Sequence, residues 1–223
     1  MGLGKLTFLE FVDEAVGGEA RVSNESTFIR GDYFVCSRLG LGFVKPSAWH
    51  FRSFIDFAPY VARQSLNDLD DGSVEHEQAI QEYAGTVVAV VTKYPLAKED
   101  GSVEQRFSPC ITIAILGKGQ CGEAGASLRS IVHRVIDACL ERLPECRVTA
   151  PPVFQPLSGC HAASLTSQYM CVGEGIEPRL LRTRSLFVEH GARIYNIDLV
   201  DSPWAGEEVV SEFDAFLGSV HLA

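Results

Sequence analysis

The chain has 223 residues and a formal net charge of −10, from 29 acidic and 19 basic side chains. Its hydrophobic content of 46% and charged content of 22% are typical of a globular protein and exclude a disordered or fibrous chain. The negative charge disfavours nucleic acid, and every apolar run is far shorter than the ~20 residues that span a bilayer. We therefore expect an acidic, cytoplasmic protein without a membrane span, forming a single domain over residues 1–223.

The N-terminal part of the chain predicts a helix followed by short strands. Apolar residues recur at helical spacing between residues 6 and 16, which predicts a capping helix within residues 1–18. Residues 26–36 are rich in aromatic and β-branched side chains and predict strands broken by a turn at Gly31. Another short strand should end before Pro46, because proline has no backbone N–H to donate to a partner strand.

An aromatic segment and an acidic segment follow. The acidic stretch 67–82 is interpreted as a surface excursion and not as a calcium loop, because Leu69 and Gln78 would occupy two of the ligand positions. The aromatic side chains before it are candidates for contact with a protein or a hydrophobic peptide. These candidates are Trp49, Phe51, Phe54, Phe57 and Tyr60.

The rest of the chain predicts an antiparallel sheet and two helices. Two β-branched runs, 86–94 and 108–116, predict a hairpin, and helical spacing over 124–143 predicts an amphipathic helix. Between residues 147 and 200 strand follows strand, which favours antiparallel pairing because parallel neighbours need crossover helices. A second amphipathic helix is predicted over 205–220. The predicted fold class is α+β, a mostly antiparallel sheet with helices packed on its faces as an α/β/α sandwich.

Basic residues are scattered, and the nearest approach to a cluster lies on one predicted strand. Its members are Arg179, Arg182 and Arg184. Since alternate strand residues face the same side, Arg182 and Arg184 should share one face of the sheet. We interpret that face as a solvated surface.

The order of several turn and core motifs resembles the PsbP-like superfamily, which includes the Ran-binding Mog protein and the DcrB and Eag chaperone-type proteins. The resemblance covers about residues 28–221. The motifs are Gly42-Phe43-Val44-Lys45-Pro46 with Trp49, then Leu157-Ser158-Gly159-Cys160-His161-Ala162, Gly191-Ala192-Arg193-Ile194-Tyr195 and Phe216-Leu217-Gly218-Ser219-Val220. The resemblance implies a function of binding protein partners, assisting assembly or shielding hydrophobic segments. Our leading hypothesis is therefore a non-catalytic binding or chaperone-type protein without a cofactor.

A glycine-rich loop at 117–122 fits the pattern GxGxxG between a predicted strand and a predicted helix. A dinucleotide site also needs a parallel strand that ends in an acidic residue about 20 residues further on, and the strand from Arg147 to Pro152 ends in none. We interpret the segment as a strand-to-helix loop. It remains part of an alternative hypothesis, in which a small enzyme uses this loop together with residues 160–161.

The cysteines and histidines give that alternative its reactive candidates, Cys121, Cys160 and His161. Cys160 and His161 should not pair with each other, because adjacent residues on a strand point to opposite faces. Two other pairings stay open, Cys121 with His133 and His161 with Asp198. The seven cysteines are odd in number and irregularly spaced, and neither a CxxC pair nor an HExxH pattern occurs, so we expect no metal site. A third hypothesis is a structural module that binds a second copy of itself, as a homodimer.

Overall fold

The computed structural model describes residues 27–52, 87–95, 107–117, 126–157, 159–173 and 176–223. These residues group into two compact units that alternate along the chain. The described residues of the first unit come from the ranges 27–49, 157–159 and 205–223, and those of the second from 50–156 and 160–204. The single domain over 1–223 stays a prediction.

Eleven strands and two α-helices are described. In chain order they are β1 (Thr27–Arg30), β2 (Tyr33–Cys36), β3 (Leu41–Val44), β4 (His50–Arg52), β5 (Val87–Thr92), β6 (Cys110–Gly117), α1 (Leu128–Arg142), β7 (Arg147–Leu157), β8 (Cys160–Gly173), β9 (Ile176–His190), β10 (Arg193–Asp201), α2 (Glu207–Gly218) and β11 (His221–Leu222). A short 3-10 turn, Ser37–Leu39, joins β2 to β3.

The first unit contains a four-stranded sheet in the order β1-β2-β3-β11. The turn between β1 and β2 falls at Gly31, whose φ of 57° is a conformation that favours glycine. Phe43 stacks on Phe34 and meets Phe216 of α2 edge to face, with ring centroids 4.7 and 5.2 Å apart. These aromatic contacts form the core of the unit, together with Trp49, which meets a further phenylalanine of α2.

Two polar contacts in the first unit hold the chain where β3 ends. The ammonium of Lys45, which is only 7% exposed, forms an ion pair with Asp32. The Ser219 hydroxyl accepts the backbone N–H of Val44 at 2.9 Å and lies 2.7 Å from the carbonyl of Phe216. Both contacts satisfy polar groups where the strand ladder ends.

The second unit contains a seven-stranded sheet in the order β4-β5-β6-β10-β9-β8-β7. Every pairing whose register is described is antiparallel, and β8, β9 and β10 pair along most of their length. Strand β7 lies at one edge and carries Pro151, Pro152 and Pro156, which limit the N–H groups that it can offer to another chain.

Helix α1 packs on one face of this sheet. Its N-cap Ser127 accepts the N–H of Ser130, and its inner side buries Leu128, Ile131 and Val132. These side chains form one cluster with sheet residues that include Phe187. From the register, even-numbered residues of β6 and β10 and odd-numbered residues of β8 and β9 share this helix-side face.

The predicted α+β fold with antiparallel pairing is confirmed. The four strands predicted between 147 and 200 are β7 to β10, and the predicted helices over 124–143 and 205–220 appear as α1 and α2 with slightly tighter bounds. The sequence predicted one sheet, whereas the structure has two. The capping helix within 1–18, the acidic excursion 67–82 and most of the 117–122 loop lie outside the described residues. Neither described helix combines the length and apolar character needed to cross a membrane.

Candidate functional site

A buried carboxylate holds two arginines on the sheet face opposite α1. Asp201, at the end of β10, is fully buried. It accepts two bonds from Arg182, from Nε at 2.8 Å and from Nη2 at 2.7 Å. Arg184 approaches the same carboxylate at 3.5 Å. The bidentate bond raises the pKa of Arg182 above its ordinary value, so this guanidinium is charged at any physiological pH.

This network corrects the interpretation of these arginines as a solvated surface. Arg182 and Arg184 do share one face, as predicted, but only 24% and 21% of their side-chain surface is exposed. Two guanidinium groups thus lie against one buried carboxylate at this end of the sheet. Arg147, on β7, adds another exposed guanidinium, which donates to Gln168 at 2.9 Å.

Beyond the network, the chain turns and presents an exposed tryptophan. Trp204 has 77% of its surface exposed, the largest value among the exposed large hydrophobic residues of the described chain. Its backbone N–H donates to the Ser202 hydroxyl at 3.3 Å, and Pro203 between them has a fixed φ. Trp204 follows Asp201 by three residues, so their Cα atoms lie within about 11 Å. A constrained turn therefore holds the indole in water close to the Arg182–Asp201 ion pair.

A second polar group occupies the helix-side face of the same sheet. Asp198 of β10 accepts the Ser185 hydroxyl at 2.5 Å on one carboxyl oxygen and the Asn196 amide at 2.8 Å on the other. Thr112 of β6 lies beside Asp198 in the register. Protein surrounds Asp198 closely, although part of its surface reaches solvent. Burial raises the pKa of this carboxyl, and the two hydrogen bonds partly oppose the rise.

The charge of this carboxyl acts on two thiols and a phenol. Burial and the nearby Asp198 raise the pKa of Cys110 to about 12, and burial, Cys146 and Asp198 raise that of Cys139 to about 11. The pKa of Tyr169 is also raised, mainly by burial. These groups are therefore neutral at pH 7, and protonated thiols such as Cys110 and Cys139 are poor nucleophiles.

The aromatic candidates are placed unequally. Trp49 is 2% exposed and meets Phe213 edge to face at 5.5 Å, so it serves the core of the first unit. Phe51 lies in β4 and is half-buried. The remaining candidates, Phe54, Phe57 and Tyr60, lie outside the described residues.

The reactive candidates are not brought together where the structure describes them. Cys160 and His161 are adjacent on β8 and project to opposite faces. The register does not bring His161 beside Asp198. His161 pairs with Glu189, whereas Asp198 pairs with Ser185, which lies four residues before Glu189 in β9. Cys121 lies outside the described residues.

The sequence did not single out Trp204 or Asp201, and it named Asp198 only as an alternative partner of His161. In β10 the residues Tyr195, Ile197 and Leu199 alternate with Asn196 and Asp198, a pattern that ordinarily places the polar residues in solvent. Helix α1 covers that polar face instead. For Trp204 a signal was present, since Ser202-Pro203 predicts a turn and turns lie at the protein surface.

Comparison with known proteins does not identify a family for this chain. No protein-family model matches the chain, and no curated protein matches it. Among solved structures, PsbP of Synechocystis shares 12% identity over 92% of this chain and 96% of its own length, with a TM-score of 0.48. LpqN of Mycobacterium tuberculosis, which is involved in cell envelope biogenesis, shares 10% over 82% and 83%, with a TM-score of 0.45.

A third similar structure is a protein of unknown function from Pseudomonas aeruginosa. It shares 15% identity over 58% of this chain and 78% of its own length, with a TM-score of 0.44. At such identities the likeness concerns the fold alone. The matched structures thus include a PsbP, a protein of the superfamily that the sequence motifs resemble.

Proposed function

We propose that this chain is a non-catalytic protein-binding protein whose partner docks on the end of β10, around Trp204 and Arg182. The observation that carries the proposal is the exposure of Trp204, 77% of whose surface faces water on a constrained turn. An indole left in water contributes little to folding. It contributes strongly when a partner buries it.

The residue types at this end of the sheet are those that dominate protein interfaces. Tryptophan and arginine are enriched among residues whose truncation costs an interface more than about 2 kcal/mol. The Ser202 hydrogen bond and Pro203 already restrict the turn, so binding loses little further backbone entropy there. Trp204 would thus be a pre-organised anchor.

Arg182 gives the proposed surface its polar rim. Its two bonds to Asp201 use Nε and Nη2 and leave Nη1 to donate to a partner. Because the carboxylate fixes the guanidinium, a carboxylate or carbonyl of the partner meets a donor that is already oriented. The partner is therefore expected to offer an apolar recess for the indole, with an acceptor beside it.

A comparison of three purified proteins in quantitative affinity capture tests the proposal. Trp204→Ala should lose the specifically retained proteins, and the wild type should keep them. Val153→Ala is the matched control, because Val153 is also an exposed hydrophobic residue, at 51%, on the edge strand β7. Equal retention by Trp204→Ala and the wild type would remove Trp204 from the binding surface.

Solution mass separates a foreign partner from a second copy of the chain. A monomer in sedimentation equilibrium favours a foreign partner. A dimer that Trp204→Ala converts to a monomer, with Val153→Ala still dimeric, would place the self-contact on the same surface. Trp204 emission provides a direct readout in either case, since burial of the indole shifts it to shorter wavelength while the buried Trp49 contributes a constant background.

A further inference from the structure

The carboxyl of Asp198 is closely surrounded by protein, although part of the residue reaches solvent. In the described part of the chain no Lys, Arg or His side chain forms an ion pair with it. Its two hydrogen bonds occupy one site on each oxygen, and each carboxylate oxygen can accept a second donor. Buried carboxylates are ordinarily paired, so an unbalanced one favours a cationic ligand.

The side-chain oxygen of the neighbouring amide, Asn196, accepts no hydrogen bond. Asn196 donates from Nδ2 to Asp198, and its Oδ1 is buried and accepts no hydrogen bond. A buried carbonyl oxygen without a donor costs about 1–3 kcal/mol. Asn196 and Asp198 therefore lack hydrogen-bond donors side by side on one strand face.

We infer that Asp198 and Asn196 bind a short aliphatic primary ammonium group, which would donate to the free lone pairs of the carboxylate and to Oδ1 of the amide. An ammonium group carries three N–H donors and one positive charge, which meets both requirements at once. This site lies on the helix-side face of the sheet and is independent of the proposed partner surface around Trp204.

The side chains around Asp198 favour an organic cation over a metal ion. Phe187 lies opposite Asn196 in the register, and Val200 follows Asp198 on the same face, so apolar side chains flank the carboxyl. Among the described residues no group of three or more His, Cys, Asp or Glu side chains could hold a metal ion. The net charge of −10 attracts cations in general.

The affinity of the site for an ammonium ligand should depend on pH. The ligand needs Asp198 ionised, whereas burial raises the pKa of this carboxyl, so protons compete with the ligand at low pH. The titratable groups that act with it are Cys139 from α1, Cys110 from β6 and Tyr169 from β8, and all three stay neutral at pH 7. From β9 the facing group is Ser185, which does not titrate. Affinity should therefore fall as the pH falls.

Titration of the full chain with propylammonium chloride, followed by NMR of the Asn196 side-chain amide, tests the inference. 1-Propanol is the neutral control of similar shape. Asp198→Asn removes the charge, and Asp137→Asn is the matched variant because Asp137 is exposed on α1. We expect saturable binding of propylammonium to the wild type and to Asp137→Asn, and at least about tenfold weaker binding to Asp198→Asn.

Three results would overturn the inference. One is binding of propylammonium to Asp198→Asn as tight as to the wild type, and another is binding of 1-propanol as tight as that of propylammonium. The third uses the wild type alone and so holds even where a variant fails to fold. It is an affinity for propylammonium that stays constant as the pH is lowered from 8 through the titration of Asp198.

Discussion

Two variants that remove the same Arg182–Asp201 ion pair should lose different amounts of unfolding free energy. Arg182→Met leaves Asp201 fully buried, with Arg184 at 3.5 Å as the neighbouring cation. Loss of one partner from a buried pair costs about 3–5 kcal/mol, and we expect that range here. Asp201→Asn leaves two arginines that keep about a quarter and a fifth of their side-chain surface in water. Solvent stabilises those charges, so we expect a smaller loss of about 2–3 kcal/mol.

Urea unfolding followed by circular dichroism measures both losses. The double variant, Arg182→Met with Asp201→Asn, should lose at least about 1 kcal/mol less than the sum of the single losses, because the two residues interact directly. Arg147→Met is the control, since Arg147 is exposed and its loss should cost below about 1 kcal/mol. A loss for Asp201→Asn larger than that for Arg182→Met would refute the reasoning.

Three other predictions concern polar groups within the two units. Asp198 has a raised pKa in the folded protein, so its ionisation opposes folding. The stability of the wild type relative to Asp198→Asn should therefore rise as the pH is lowered through the folded pKa towards 3.8. A difference in unfolding free energy that is the same at about pH 8 and about pH 4 would contradict this prediction. Ser219→Ala should cost about 1–3 kcal/mol in urea unfolding, because the N–H of Val44 loses its acceptor. Asp32→Ala should cost about 1–3 kcal/mol in urea unfolding, because the largely buried Lys45 loses an ion pair and keeps its contact with the Pro46 carbonyl. A change below about 0.5 kcal/mol would contradict a stabilising role for this ion pair.

The sequence predicts the elements of the second unit well because each carries a local signal. Strands β7 to β10 are separated by glycine and proline turns, and Gly159 and Gly191 indeed adopt positive φ. Helix α1 has a regular apolar stripe and an N-cap serine. Such signals lie within a few residues of one another, so one sequence suffices to read them.

The sites depend on register, which a single sequence does not determine. Arg182 meets Asp201 because β9 and β10 pair in one particular alignment over nine residues. A shift of one residue would turn the arginines to the helix-side face. The burial of Asp198 depends in the same way on which face α1 covers. The exposure of Trp204 is a third case, since tryptophan occurs both in cores, as at Trp49, and on surfaces.

The most direct test of the proposed function is the dissociation constant of the captured partner for three proteins: the wild type, Trp204→Ala and Val153→Ala. An anchor worth about 2 kcal/mol predicts about thirtyfold weaker binding for Trp204→Ala, with the affinity of Val153→Ala within about twofold of the wild type. Equal affinities for Trp204→Ala and the wild type would contradict the account.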